Sequence, residues 1–128
     1  MSTAALSQLW AKSGLVWLLA AMVFGMYLGL TGQFGVTSSH AHSGLLGGVW
    51  AMLFSYLYHR ADAAHGPVKG ALAQWGTYNI GVAMFVTALW MVIHGWYMPV
   101  FGPMIALGGF TVLFSTLWIV LTLWRRIA

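Results

Sequence analysis

Cysteine is absent from this chain, and Asp62 is its one carboxylate. Without thiols there is no disulfide framework, no thiolate metal site and no cysteine nucleophile. A single acid excludes, within one chain, the paired carboxylates of glycosidase chemistry, carboxylate-bridged metals and ordinary proton relays. Charge as a whole is scarce: 5% of residues are charged, against about 25% in soluble proteins. What remains is 61% hydrophobic with a mean hydropathy of +0.85, the composition of an integral membrane protein whose first partner is the lipid bilayer. The formal charge of +4 comes from Lys12, Arg60, Lys69, Arg125 and Arg126. All five bases sit at the edges of apolar segments, a distribution that sets orientation in a membrane and gives no sign of nucleic-acid binding.

About 20 apolar residues cross a hydrocarbon core, and four stretches of the 128 residues qualify. They predict an all-α, four-helix transmembrane bundle in one domain, residues 1–128, with helices near 14–31, 38–59, 72–97 and 104–125. Ser38 or Ser39 can cap the second helix, which places both His40 and His42 in its first turn. Lys12 precedes the first helix, Arg60 and Lys69 separate the second from the third, and Arg125 and Arg126 follow the fourth, while the other two loops carry no Lys or Arg. The positive-inside rule then puts both termini in the cytoplasm, as in a bacterial inner membrane. Trp10, Trp96, Tyr97 and Trp124 fall where an aromatic belt is expected. No small-residue cleavage site follows Leu30, so the first helix reads as a retained span rather than a signal peptide. Pro99 and Pro103 are expected to bracket a tight outer turn, and Gly66-Pro67 an inner one.

The five histidines separate by depth. At about 1.5 Å rise per residue, His42 and His59 are roughly 25 Å apart along one helix and cannot serve one centre. His40, His42 and His94 lie toward the outer face; His59 and His65 lie at the cytoplasmic side beside Arg60 and Asp62, as solvated interfacial residues.

Helix geometry then restricts what the outer histidines can hold. Residues two apart point about 200° apart, so His40 and His42 do not readily chelate one ion as an i, i+4 pair does. If one faces the interior of the four-helix unit, the other faces outward, where lipid leaves it unsatisfied and a subunit contact does not. The pair therefore argues for an oligomer. Haem iron suits it, because axial imidazoles arrive from opposite sides and can belong to different helices or subunits. Gly44 and Gly48 put small residues on one face of the second helix, as Gly25 and Gly29 do on the first, which permits close approach of a helix or of a cofactor. Met52, Met91 and Met98 are conceivable sulfur ligands, although methionine in an apolar chain is usually packing. Trp50, Phe54, Tyr56, Trp90 and Trp96 read as core or belt before they read as redox relays.

Ser39-His40-Ala41-His42 with the following stretch from Gly44 to Trp50 resembles the haem-copper oxidase superfamily. In the catalytic subunit of that family one helix carries His-x-His near the outer face, each histidine ligating a different haem, and twelve helices form three arcs of four. A four-helix chain with cytoplasmic termini looks like one arc. The resemblance implies a homotrimer imitating the twelve-helix subunit, with haem b at each subunit contact, ligated by His42 of one protomer and His40 of the next. The copper centre of the family needs a His-His pair on the third helix of an arc and a further His linked to Tyr on the second. Here the third helix offers only His94, followed by Gly95, and the second has no His-x-x-x-Tyr of that kind. Oxygen-reductase or NO-reductase activity at a complete haem-copper site is not supported; electron transfer from a quinol or a cytochrome is the expected role.

Three rivals stay open at this level. In a cytochrome with the haem inside one chain, His94 pairs with His40 or His42 as the metal ligands. In a copper- or zinc-handling protein the outer imidazoles form a capture site, with no Met-x-x-x-Met or acidic pathway to carry the ion onward. In an accessory subunit the histidines only shape an interface.

Overall fold

The computed structural model describes residues 3–33, 35 and 37–127. Within them the chain is all-helical. Helix α1 spans Thr3–Thr31; α2 is one continuous run made of an α-turn Thr37–His42, a π-helical stretch Ser43–Trp50 and an α-helix Ala51–His65; α3 spans Ala71–Ile93 and α4 Met98–Ile127. Three single helices, Ala5–Thr31, Ala71–Ile93 and Met98–Arg126, are long and apolar enough to cross a membrane. The three parts of α2 add up to the 29 residues of α1, but no one part alone reaches a spanning length.

Several helix ends differ from the hydropathy-based expectation, and each difference has a local cause. Helix α1 begins at Thr3 instead of near 14, because hydropathy marks the part suited to lipid whereas the helix continues through the polar turn around Lys12. Helix α2 runs past 59 to His65, where Gly66 at φ 74° ends it. Helix α3 stops at Ile93 instead of Tyr97. Gly95 at φ 76° takes the left-handed position, the Trp96 amide bonds the Met91 carbonyl at 2.9 Å and the Gly95 amide bonds Val92 at 3.0 Å, the paired bonds of a Schellman stop. Helix α4 then starts at Met98, so Pro99 and Pro103 do not bracket a turn. Pro99 sits in the first turn, where no intrahelical N–H is needed, and Pro103 lies inside the helix.

Helices α1 and α2 pack as one pair and α3 and α4 as another, and the pairs meet mainly through α2. Glycine sets both close approaches. A Cβ at Gly48 would fall 2.5 Å from Leu18 Cδ2, and one at Gly108 would fall 2.6 Å from the Phe85 amide nitrogen, so in each place the facing helix occupies the space a side chain would take. Between the pairs lies an aromatic core. Trp10, Phe54, Tyr58 and Tyr78 are all 0–1% exposed, with Trp10 5.2 Å from Phe54, 5.9 Å from Tyr58 and 5.5 Å from Tyr78 between ring centroids. Trp10 is thus a core residue and not part of an interfacial belt. Trp96, Tyr97 and Trp124 are exposed at helix ends, as belt residues are.

Candidate functional site

The first turn of α2 directs its two histidines to opposite neighbours, as the 200° separation requires. His40 turns toward α1. Its Nδ1 lies 2.8 Å from the Ala21 carbonyl, and its ring rests against Gly25, where a Cβ would come within 2.7 Å of Cε1. His42 turns toward α3 and α4. Its Nδ1 lies 2.7 Å from the Ser38 carbonyl one turn back, and its ring meets Phe85 edge-on at 5.1 Å. His42 also lines an apolar groove of about 370 Å³ whose walls include Leu45, Trp50, Tyr78, Phe85 and Val112.

A backbone carbonyl can only accept, so each Nδ1 in these contacts carries the proton. In the neutral ring Nε2 is then a lone-pair donor. Neither Nε2 has a hydrogen bond among the described residues. Fixing Nδ1–H on a carbonyl is the arrangement that orients imidazoles as metal ligands and raises their basicity. Each ring thus offers one neutral imidazole nitrogen, the kind of donor that haem iron takes singly from each side, and the two offer it in different directions. The pair does not fit a compact chelate: among the described residues no three or more His, Cys, Asp or Glu side chains gather around a common point.

His94 differs from the pair. It is the exposed residue that ends α3, its ring lies on Trp90 at 3.9 Å, its Nδ1 is 2.9 Å from the Trp90 carbonyl and its Nε2 is 3.1 Å from Gln33 Oε1. Nδ1–H is held by the Trp90 carbonyl one turn back in α3, so the neutral ring's Nε2 accepts from the Gln33 side-chain amide with its NH2 turned toward the ring, and that contact ties the end of α3 to the segment after α1. The remaining candidates are dispersed. Gly44 has Ala21 Cβ 3.4 Å from its Cβ position and Gly48 has Leu18, so α1 covers both. Met52 packs against Gly14 and Met98 against Gly102, and none of Met52, Met91 and Met98 lines the His42 groove. His59 and His65 are exposed.

Three features of the site carry no motif in the sequence. One is the π-helical stretch that begins at Ser43, directly after His42, and contains Gly44, Gly47 and Gly48. Wide turns of this kind recur at functional sites. Another is the Tyr78 hydroxyl, which donates to the Leu46 carbonyl inside that stretch at 2.8 Å. The third is a second apolar groove of about 470 Å³ between α1 and α3, walled by Trp17, Phe24, Tyr27 and Trp90, with Ser43 reaching it from α2. Polar residues within an apolar helix are the signal that was there to use. Asn79 accepts from Trp17 Nε1 at 3.2 Å, and fully buried Gln74 accepts from the Tyr58 hydroxyl and donates to Thr122 Oγ1 at 2.9 Å.

Comparison of the chain with protein-family models, with curated proteins and with solved structures gave no match.

Proposed function

We propose that this protein is a b-type haem carrier of a bacterial cytoplasmic membrane that transfers electrons. In this reading all four helices cross the bilayer with both termini cytoplasmic, and the chain assembles as a homotrimer. His42 of one protomer and His40 of the next are the axial imidazoles at each subunit contact. One observation carries the reading: both rings commit Nδ1–H to a backbone carbonyl, on opposite sides of one helix turn, and keep Nε2 as a lone pair. The two rings diverge within the protomer, and in this reading a histidine of a neighbouring protomer supplies the second imidazole for each. The resemblance of Ser39 to Trp50 to the His-x-His helix of haem-copper oxidases supports the trimer.

The chain's residues would act by holding and shielding. Ser38 and Ala21 orient the two rings, and Leu45, Trp50 and Phe85 form apolar walls that exclude water from the His42 side. A haem held by His40 and His42 would supply a one-electron couple and, with an imidazole from each, would leave little room for oxygen or nitric oxide to bind. That favours electron transfer from a quinol or a cytochrome over gas reduction. An intrachain pair with His94 is the weaker reading, since His94 would first have to give up Gln33.

The test is an absorption spectrum of detergent-purified protein, oxidised and reduced. A Soret band with sharp reduced α and β bands is expected; a colourless preparation without bound iron rejects the proposal. The oligomer mass should be that of three chains.

A further inference from the structure

Tyr78 is 1% exposed, lines the His42 groove, and bonds the carbonyl of Leu46 within the π-helical stretch. A π stretch carries wide turns with i→i+5 bonds, and it persists where contacts outside the helix favour it. Gly47 and Gly48 permit the approach of Trp17 and Leu18, but contacts with small residues tolerate sliding. A hydrogen bond from a buried hydroxyl to one particular carbonyl does not. The register matters because both histidines lie on its far side. If the stretch relaxed to an ordinary α-helix, Thr37–His42 would turn relative to Ala51–His65 by on the order of 100°, one residue of α-helix. His42 would leave Phe85 and the groove, and His40 would leave the Ala21 carbonyl.

We propose that the Tyr78 hydroxyl is the positioning group that fixes this register, and that through the Leu46 carbonyl it holds both imidazoles on their opposite bearings. The consequence for haem rests on the ligand reading above; the register itself does not.

The chain has no cysteine, so two introduced cysteines are its only labelling sites. Spin labels at Ala41→Cys and Leu107→Cys, both exposed, report the first turn of α2 against α4 in protein diluted with unlabelled chains. Leu53→Cys with Leu107→Cys is the control on the other side of the stretch. Tyr78→Phe removes the hydroxyl and keeps the ring against Trp10 and Phe54. The expected result is a new or shifted Ala41–Leu107 distance, by about 8 Å for such a turn on a helix 10–12 Å wide, with the control pair unchanged. Deleting Leu45 takes out the extra residue of the wide turn, and in that background Tyr78→Phe should shift nothing. An unchanged Ala41 distance in Tyr78→Phe overturns the proposal, and so does an equal shift in the Leu45-deleted chain. If the control pair also broadens, the same substitution in the Leu45-deleted chain should restore both distances; distances that stay broad there overturn it. No haem enters the measurement, so a colourless wild-type protein defeats the ligand reading alone.

Discussion

The His40 ring occupies the place of the side chain that Gly25 lacks. A Cβ at Gly25 would stand 2.7 Å from His40 Cε1 and 3.1 Å from Nδ1, and the same ring reaches the Ala21 carbonyl at 2.8 Å. One missing side chain on α1 thus sets the bearing of an imidazole on α2. Gly29, one turn further on, has no neighbour within 4 Å of its Cβ position among the described residues.

Gly25→Ala should therefore act on His40, and Gly29→Ala should not. The first pushes the ring off its seat and strains or breaks the bond to Ala21, at a cost of about 1–2 kcal/mol for a partly buried polar group. Thermal unfolding in detergent should show a lower midpoint for Gly25→Ala and an unchanged or higher one for Gly29→Ala, since alanine favours helix over glycine. Bound haem should fall in parallel only in the first. Equal behaviour of the two variants would show that the seat has no consequence.

The ligand assignment separates three histidines. If the proposed ligation holds, His40→Ala and His42→Ala should each remove most of the haem, because each would leave one side of the iron without its imidazole. His94→Ala should keep the haem and its reduced spectrum while loosening the outer end of α3, where Trp90 and Gln33 lose their partner. Loss of haem in His94→Ala with retention in His40→Ala would instead favour an intrachain pair. Haem content per chain, measured as the pyridine haemochrome, decides between them.

What the sequence made legible was the part governed by periodicity and hydropathy. Apolar length located the helices, and 100° per residue already separated His40 from His42. The His94-Gly95 step was a readable helix stop, but Pro99 and Pro103 drew the boundary outward, because proline in a first turn looks like a breaker unless the start of the helix is known. Distance from the apolar run alone puts Trp10 at a belt position, whereas its direction on α1, toward Tyr58 and Tyr78, puts it in the core. The π stretch carries no sequence signal, since its glycines fit an α-helix equally well and the bond it receives from Tyr78 comes from a residue 32 positions away. Which wall each imidazole meets is a matter of tertiary contact, set by residues as distant in sequence as Ala21 and Phe85.

The α3–α4 contact makes a sharp comparison of neighbouring glycines. A Cβ at Gly108 would fall 2.6 Å from the Phe85 amide nitrogen and 2.8 Å from its Cα, whereas one at Gly109 would sit at 3.7 Å from the Phe85 ring. Backbone cannot yield as a side-chain tip can, so Gly108→Ala must part the helices, at about 1–3 kcal/mol. Gly109→Ala should be tolerated. Phe85 also stands against His42, so parting the helices should lower haem retention as well as the unfolding midpoint. A Gly108→Ala protein as stable as Gly109→Ala would mean that α3 and α4 do not meet at this point.

The buried bond between Tyr58 and Gln74 joins α2 to α3, and Gln74 passes it on to α4 through Thr122 Oγ1 at 2.9 Å and the Trp118 carbonyl at 3.4 Å. Both residues are fully buried, so breaking the pair from one side leaves a polar group that neither water nor lipid can satisfy. Gln74→Leu strands the Tyr58 hydroxyl and should cost about 1–3 kcal/mol. Tyr58→Phe strands the Gln74 oxygen, while its amide keeps Thr122 and Trp118. Thr122 needs no rescue in either case, because its own hydroxyl already donates to the Trp118 carbonyl at 2.8 Å. The double variant Tyr58→Phe with Gln74→Leu removes both ends together and should be closer to wild type than the sum of the single losses, with a coupling of about 1–2 kcal/mol in a double-mutant cycle. Unfolding midpoints that add without coupling would mean the two side chains are not partners in the membrane.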